Sequence, residues 1–96
     1  MSNAAPRPLA AALASLTASL APVTTLARVQ EVWERATGPA VASAAQPVRE
    51  HDGVLTVSCE ASVWAQELEL MAPELLRELN AALGAELVRA MRCRTG

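Results

Sequence analysis

Five kinds of side chain in this 96-residue sequence could do chemistry. They are one histidine (His51), two cysteines (Cys59 and Cys93), a run of glutamates (Glu67, Glu69, Glu74 and Glu78), three neighbouring arginines (Arg89, Arg92 and Arg94) and two tryptophans (Trp33 and Trp64). A cysteine nucleophile needs an imidazole within about 3 Å of its sulfur. On a hairpin reading His51 sits at the tip and Cys59 five positions along the partner strand, roughly 16 Å away at about 3.3 Å per residue. His51 is therefore read as a solvated turn residue. Zinc needs four soft or imidazole ligands, and two cysteines with one histidine do not supply them. Cys59 and Cys93 read instead as small buried hydrophobes on facing strands. Glu67 and Glu74 share a helical face, but Pro73 breaks the phase between them. The glutamates then form a solvated acidic face, able to attract a basic partner. No glycine pattern builds a phosphate loop or a dinucleotide fingerprint. The sequence predicts no catalytic residue, no metal ligand and no cofactor.

The arginines and tryptophans leave binding open. Arg89, Arg92 and Arg94 could contact three phosphates, for a log-affinity against log-salt slope of about −2 to −3. They could equally be the solvated face of an edge strand. Trp33 falls on an apolar helical stripe and reads as core. Trp64 opens a helix just after the hairpin, where it can seal the core edge, stack a base or anchor a protein interface.

Those residues are positioned by elements the periodicity predicts. Leu9, Leu13, Leu16 and Leu20 line one face of a helix over 9–21, which suits packing better than a signal sequence. Residues 1–8, with Pro6 and Pro8, read as a flexible leader. Thr24 or Thr25 caps a second helix whose apolar face is Leu26, Val29, Trp33 and Ala36. Gly38 closes it, and Pro39 to Ala45 forms one more short helical turn that Pro47 ends. The period then changes to two. Val48 to Cys59 reads as a hairpin about an Asp52-Gly53 type I′ turn. In that register His51 faces Val54, Arg49 faces Thr56 and Val48 faces Val57. Val48, Leu55, Val57 and Cys59 point to one side, and Arg49, Thr56 and Ser58 to the other. Ser62 is placed as the N-cap of a long helical stretch with Trp64, Leu68, Met71, Leu75, Leu79 and Leu83 on its buried stripe. Pro73 splits that stretch and takes the first position of its second half. Val88 to Arg94 reads as a third strand, with Met91 and Cys93 on one side and Arg92 and Arg94 on the other. The expected fold is α+β: one three-stranded sheet with helices on one face and the other face exposed.

Bulk properties bound the function. Net charge is −2 and the chain has no lysine, so a whole-molecule basic footprint is absent. The charge is uneven: residues 61–84 carry −3 and residues 85–96 carry +2. No apolar run reaches the ~18 residues that span a bilayer. Two cysteines make no disulfide framework, which fits a reducing cytoplasm.

Several segments together resemble the DciA family, bacterial proteins that assist loading of the replicative DNA helicase. They are Leu26…Trp33…Gly38-Pro39-Ala40-Val41-Ala42, then Pro47-Val48…Asp52-Gly53-Val54-Leu55-Thr56-Val57, then Ser62-Val63-Trp64-Ala65-Gln66-Glu67-Leu68, then Leu75-Leu76…Leu79-Asn80, and finally Val88…Met91-Arg92-Cys93. The most specific part is the D-G-x-L-x-V hairpin followed about seven residues later by W-A-x-E-L. The resemblance covers residues 26–94 and implies a type II KH-like α-β-β-α-α-β domain, preceded here by one or two N-terminal helices. Residues 9–96 are then expected to form one domain. The G-x-x-G loop by which KH domains grip nucleotides is absent. The basic extension common in the family is not expected here, which lowers the expected strength of DNA binding. The resemblance further implies a non-enzymatic accessory protein of the cytoplasm and nucleoid. Its partner would be the hexameric DnaB-type helicase, with weak contact to single-stranded or forked DNA and no membrane. Trp64 and Glu67 are the expected partner contacts, and Arg89, Arg92 and Arg94 the expected nucleic-acid contacts. The domain is expected as a monomer or weak homo-oligomer. A nucleic-acid-binding module and a self-associating structural module are the rival readings.

Overall fold

A computed structural model describes residues 23–96. The expected leader and the expected helix over 9–21 lie outside the described residues. The elements are α1 (Thr25–Thr37), α2 (Pro39–Ala44), β1 (Ala45–His51), β2 (Val54–Cys59), α3 (Ser62–Leu70), α4 (Ala72–Leu83) and β3 (Ala90–Thr95). The fold is α+β, and from α2 onward the order is the α-β-β-α-α-β that the resemblance implies. The sheet runs β1-β2-β3, with β2 antiparallel to β1 and parallel to β3.

Helix α1 starts where Thr24 Oγ1 accepts the Ala27 N–H at 3.0 Å, which satisfies one of the first-turn donors. It buries Val29, Val32 and Trp33. The Trp33 indole N–H donates to the Ala45 carbonyl at 2.9 Å, tying the helix to the start of β1. Pro47 does not end α2: that helix stops at Ala44, and Pro47 lies buried within β1. An edge strand accepts proline because the missing N–H can face away from the ladder.

The hairpin turns at Asp52 and Gly53, with φ of 51° and 82°, the positive pair that a type I′ turn needs. His51↔Val54 and Arg49↔Thr56 pair as expected. Val48 does not face Val57: Pro47 takes that position and the register shifts between Pro47 and Arg49. Val48 is the extra residue of a bulge and is 40% exposed, so it leaves the core face expected for it. Glu50, opposite Leu55, folds back to accept the Gly53 N–H at 2.7 Å.

Ser62 is not the N-cap of α3. Ala61 holds that position with no side-chain cap, and its carbonyl accepts the Trp64 and Ala65 N–H groups. The long stretch breaks at Met71, and Pro73 is the second residue of α4 rather than the first. Proline is tolerated there because first-turn N–H groups have no helical acceptor. The break also shifts the helical phase. Met71 is 38% exposed instead of lying on the buried stripe, while Leu68, Leu75, Leu79 and Leu83 are buried.

Asn80 fixes the path into β3. Its Nδ2 donates to the Val88 carbonyl at 2.8 Å, and its Oδ1 accepts the N–H groups of Leu87 (3.1 Å) and Val88 (3.0 Å). Val88 is thereby held outside the ladder, and β3 starts at Ala90 rather than Val88. The core gathers Leu55, Val57 and Cys59 of β2 and Met91 of β3 under Val29, Trp33, Leu68 and Leu79.

Both sheet edges meet helix side chains. On β1, Trp33 and Gln30 donate to the carbonyls of Ala45 and Pro47. On β3, Glu69 Oε2 accepts the Cys93 N–H at 3.2 Å. Such contacts blunt the edge pairing that exposed strands invite.

Candidate protein and nucleic-acid interfaces

Two surfaces stand out, on different sides of the sheet. The first is the sheet face that no described element covers. Side chains alternate across a strand, so this face takes Val54, Thr56 and Ser58 from β2. Thr56 pairs with Arg49 on one side and Arg92 on the other, and Ser58 pairs with Arg94. All three arginines are exposed. Arg89 joins at the hairpin tip, where its Nε donates to the Asp52 carbonyl at 2.9 Å. Arg49, His51, Arg89 and Arg92 line a shallow concavity of about 420 Å³ together with Val54, Thr56 and two carboxylates, Glu50 and Asp52.

Among the described residues no carboxylate lies within 4.0 Å of any arginine. The one ion pair is His51 Nε2 to Asp52 Oδ2 at 3.3 Å, on mostly exposed side chains, a geometry worth little in water. Arg92 and Arg94, two residues apart on one strand, are separated by about 6.6 Å. The guanidiniums of Arg92 and Arg94 can donate to phosphate oxygens, bidentately where the geometry allows. The structure sets Arg92 with Arg89 in one concavity and with Arg94 in another, and adds Arg49 to both, which was not among the expected contacts. Strand alternation already put Arg49 on the Thr56 side. What periodicity could not give was that β3 lies beside β2, which brings Arg92 across from it.

The second surface is the solvent side of α3. Val63 is 60% exposed and Leu70 78%. With Gln66 and Glu67 they occupy positions i, i+3, i+4 and i+7, one stripe of a helix. Glu67, an expected contact, thus sits between two exposed apolar side chains that sequence reading missed. Trp64 is half-buried against the core. It lies on the helical side of the sheet, away from the arginines on the open face, so the structure does not join it to them as a base-stacking platform. Glu69 is occupied at the β3 edge, while Glu67, Glu74 and Glu78 are exposed and do not converge.

The remaining chemistry-bearing groups are quiet. Burial pushes both thiols up; the Cys93 thiol, further raised by neighbouring Cys59 and Glu69, is pushed up to about 12. An activated nucleophile shows the opposite shift. Among the described residues no group of three His, Cys, Asp or Glu is placed to hold a metal ion, and no helix is long and apolar enough to cross a membrane.

These features define a small α+β domain with a single helical layer on a three-stranded mixed sheet. Residues 8–93 match the family described as Dna[CI] antecedent, DciA; the chain belongs to that family. It is 37% identical over 60 residues to the UPF0232 protein Rv0004 of Mycobacterium tuberculosis, covering 62% of this chain and 32% of that protein. It is 39% identical over 62 residues to a UPF0232 protein of Streptomyces avermitilis, covering 62% of this chain and 34% of the relative. A UPF0232 protein of Rhodococcus jostii is 35% identical over 60 residues, with 62% of this chain and 32% of its own length covered. The matched part is thus about a third of the length of these relatives.

Proposed function

We propose that this domain is a non-enzymatic accessory protein of DNA replication that binds the replicative DNA helicase, of the hexameric DnaB type, and assists its loading or activity in the cytoplasm, at the nucleoid. The observation that carries this reading is the family match over residues 8–93. The order α-β-β-α-α-β and its mixed sheet support the type II KH-like arrangement that goes with it. Glu67 and the solvent side of α3, with the exposed part of the half-buried Trp64, form the helicase contact. The leucine-rich core beneath keeps that surface rigid, so that binding costs little ordering. Assistance means a bias: the domain favours an open or DNA-engaged helicase only as far as it binds that state more tightly than the closed one. The test is co-purification of this chain with its host's replicative helicase, with and without DNA. Retention at a fixed ratio is expected, and absence of retention under both conditions contradicts the reading.

A second reading, weak binding of single-stranded or forked DNA, is favoured by one observation: Arg49, Arg92 and Arg94 share the open sheet face with no carboxylate within 4.0 Å. It is compatible with the first, because the two surfaces do not overlap. The self-associating module is disfavoured by the side-chain hydrogen bonds made at both sheet edges.

A further inference from the structure

We infer that the solvent stripe of α3 docks an amphipathic helix of the partner that carries lysine or arginine beside its apolar seam. The inference rests on the helicase reading and names the chemistry of that contact. Helix α3 is apolar on two sides. Leu68, fully buried, faces the core, whereas Val63 and Leu70 face water at 60% and 78% exposure. A surface helix is ordinarily polar on its outer face. A single exposed leucine would mean nothing. Here two large apolar residues stand seven positions apart on one stripe, about 10.5 Å along the axis at 1.5 Å per residue. An apolar row of that spacing matches the seam of a second helix laid alongside.

Charge selects the occupant. Glu67 lies in the middle of the row, Glu60 before it and Glu74 beyond it, all exposed. Among the described residues no arginine is within 4.0 Å of any of them, so no described residue neutralises their charge. Nucleic acid is repelled by such a stripe. A second copy laid antiparallel would set Glu67 near its own counterpart. A basic partner helix meets both the apolar row and the acids, and complementary charge also speeds encounter.

The test uses the host's purified replicative helicase hexamer and this chain carrying a fluorescent label, with binding read by anisotropy at two salt concentrations. The variants are Val63→Ser with Leu70→Ser, Glu67→Arg, and Glu34→Gln on α1 as a control. All alter exposed positions, and circular dichroism melts establish that each variant is folded. The apolar double variant is expected to bind at least about tenfold more weakly, and Glu67→Arg about three- to tenfold more weakly with a flatter salt dependence. The control should bind like the unmodified chain. Unchanged binding by the folded double variant overturns the docking surface and leaves the helicase reading standing. Tighter binding by Glu67→Arg overturns the basic character of the occupant. A dimer of the unmodified chain that the double variant dissolves, seen by sedimentation, makes the stripe a self-interface and overturns the inference. Failure of the unmodified chain to bind the helicase removes the reading and the inference together.

Discussion

Asn80 is the one buried polar side chain among the described residues, and it makes three hydrogen bonds to Leu87 and Val88. Leucine at that position would leave two N–H groups and a carbonyl without partners in a part-buried loop. Each such orphan costs about 1–3 kcal/mol, softened where water reaches it. Asn80→Leu should therefore lower unfolding free energy by about 2–3 kcal/mol in urea titration; a change under about 0.5 kcal/mol contradicts this role. The thiols give a pH-dependent outcome. Burial raises the Cys93 thiol from an ordinary 9.0 to about 12, so the folded state keeps a proton that the unfolded chain releases. The stability contributed is full below about pH 9 and is lost as pH rises towards about 12. Cys93→Ala should flatten the alkaline fall in melting temperature. In the unmodified protein both thiols should react slowly with a disulfide reagent at pH 8 until it unfolds. At this scale Trp33 was legible, because it follows Val29 by four on an apolar stripe. Val63 and Leu70 were not, because an apolar residue in a helix reads as core until the packing shows which stripe is covered.

The hairpin was readable at the level of elements from Asp52-Gly53, since few other residue pairs accept two positive φ values in succession. The bulge at Val48 was not. Pro47 and Val48 are both apolar, and nothing local says which of the two fills the place opposite Val57. The break between α3 and α4 was legible from Pro73, but not its position at Met71. Local sequence was also silent on Glu69, whose neighbours read as an acidic face but whose carboxylate reaches the Cys93 N–H. That contact closes the outer edge of β3. Glu69→Val removes it and places a β-branched apolar side chain beside an open strand. The variant should show concentration-dependent association in sedimentation velocity where the unmodified chain does not, and equal behaviour of the two would mean the edge is guarded by other means.

Considered whole, the molecule carries net negative charge, yet Arg49, Arg92 and Arg94 gather on the open sheet face while Glu67 lies on the outer side of α3. Segment charges foretold that contrast, with an acidic helical region and a basic last strand. They did not foretell that Arg49, 43 positions before Arg92, completes the basic face. Three phosphate contacts to a single strand give a salt slope of about −2, at about −0.7 per contact. Arg49→Ala should weaken binding of an oligo(dT) probe at low salt and reduce the slope by about 0.7; an unchanged slope places the DNA elsewhere. The fold and its apolar core were legible because periodicity and turn chemistry agree along the chain. The proposed partner surface was only half legible, because exposure belongs to the assembled domain.

The central claim is that this domain is held by a replicative helicase. Its most direct measurement is analytical ultracentrifugation of the chain mixed with the host's purified helicase hexamer, with and without single-stranded DNA. The small domain should sediment with the hexamer in a saturable ratio, and DNA should not displace it. Sedimentation of all the domain at its free rate in both mixtures, at concentrations up to tens of micromolar, would contradict it.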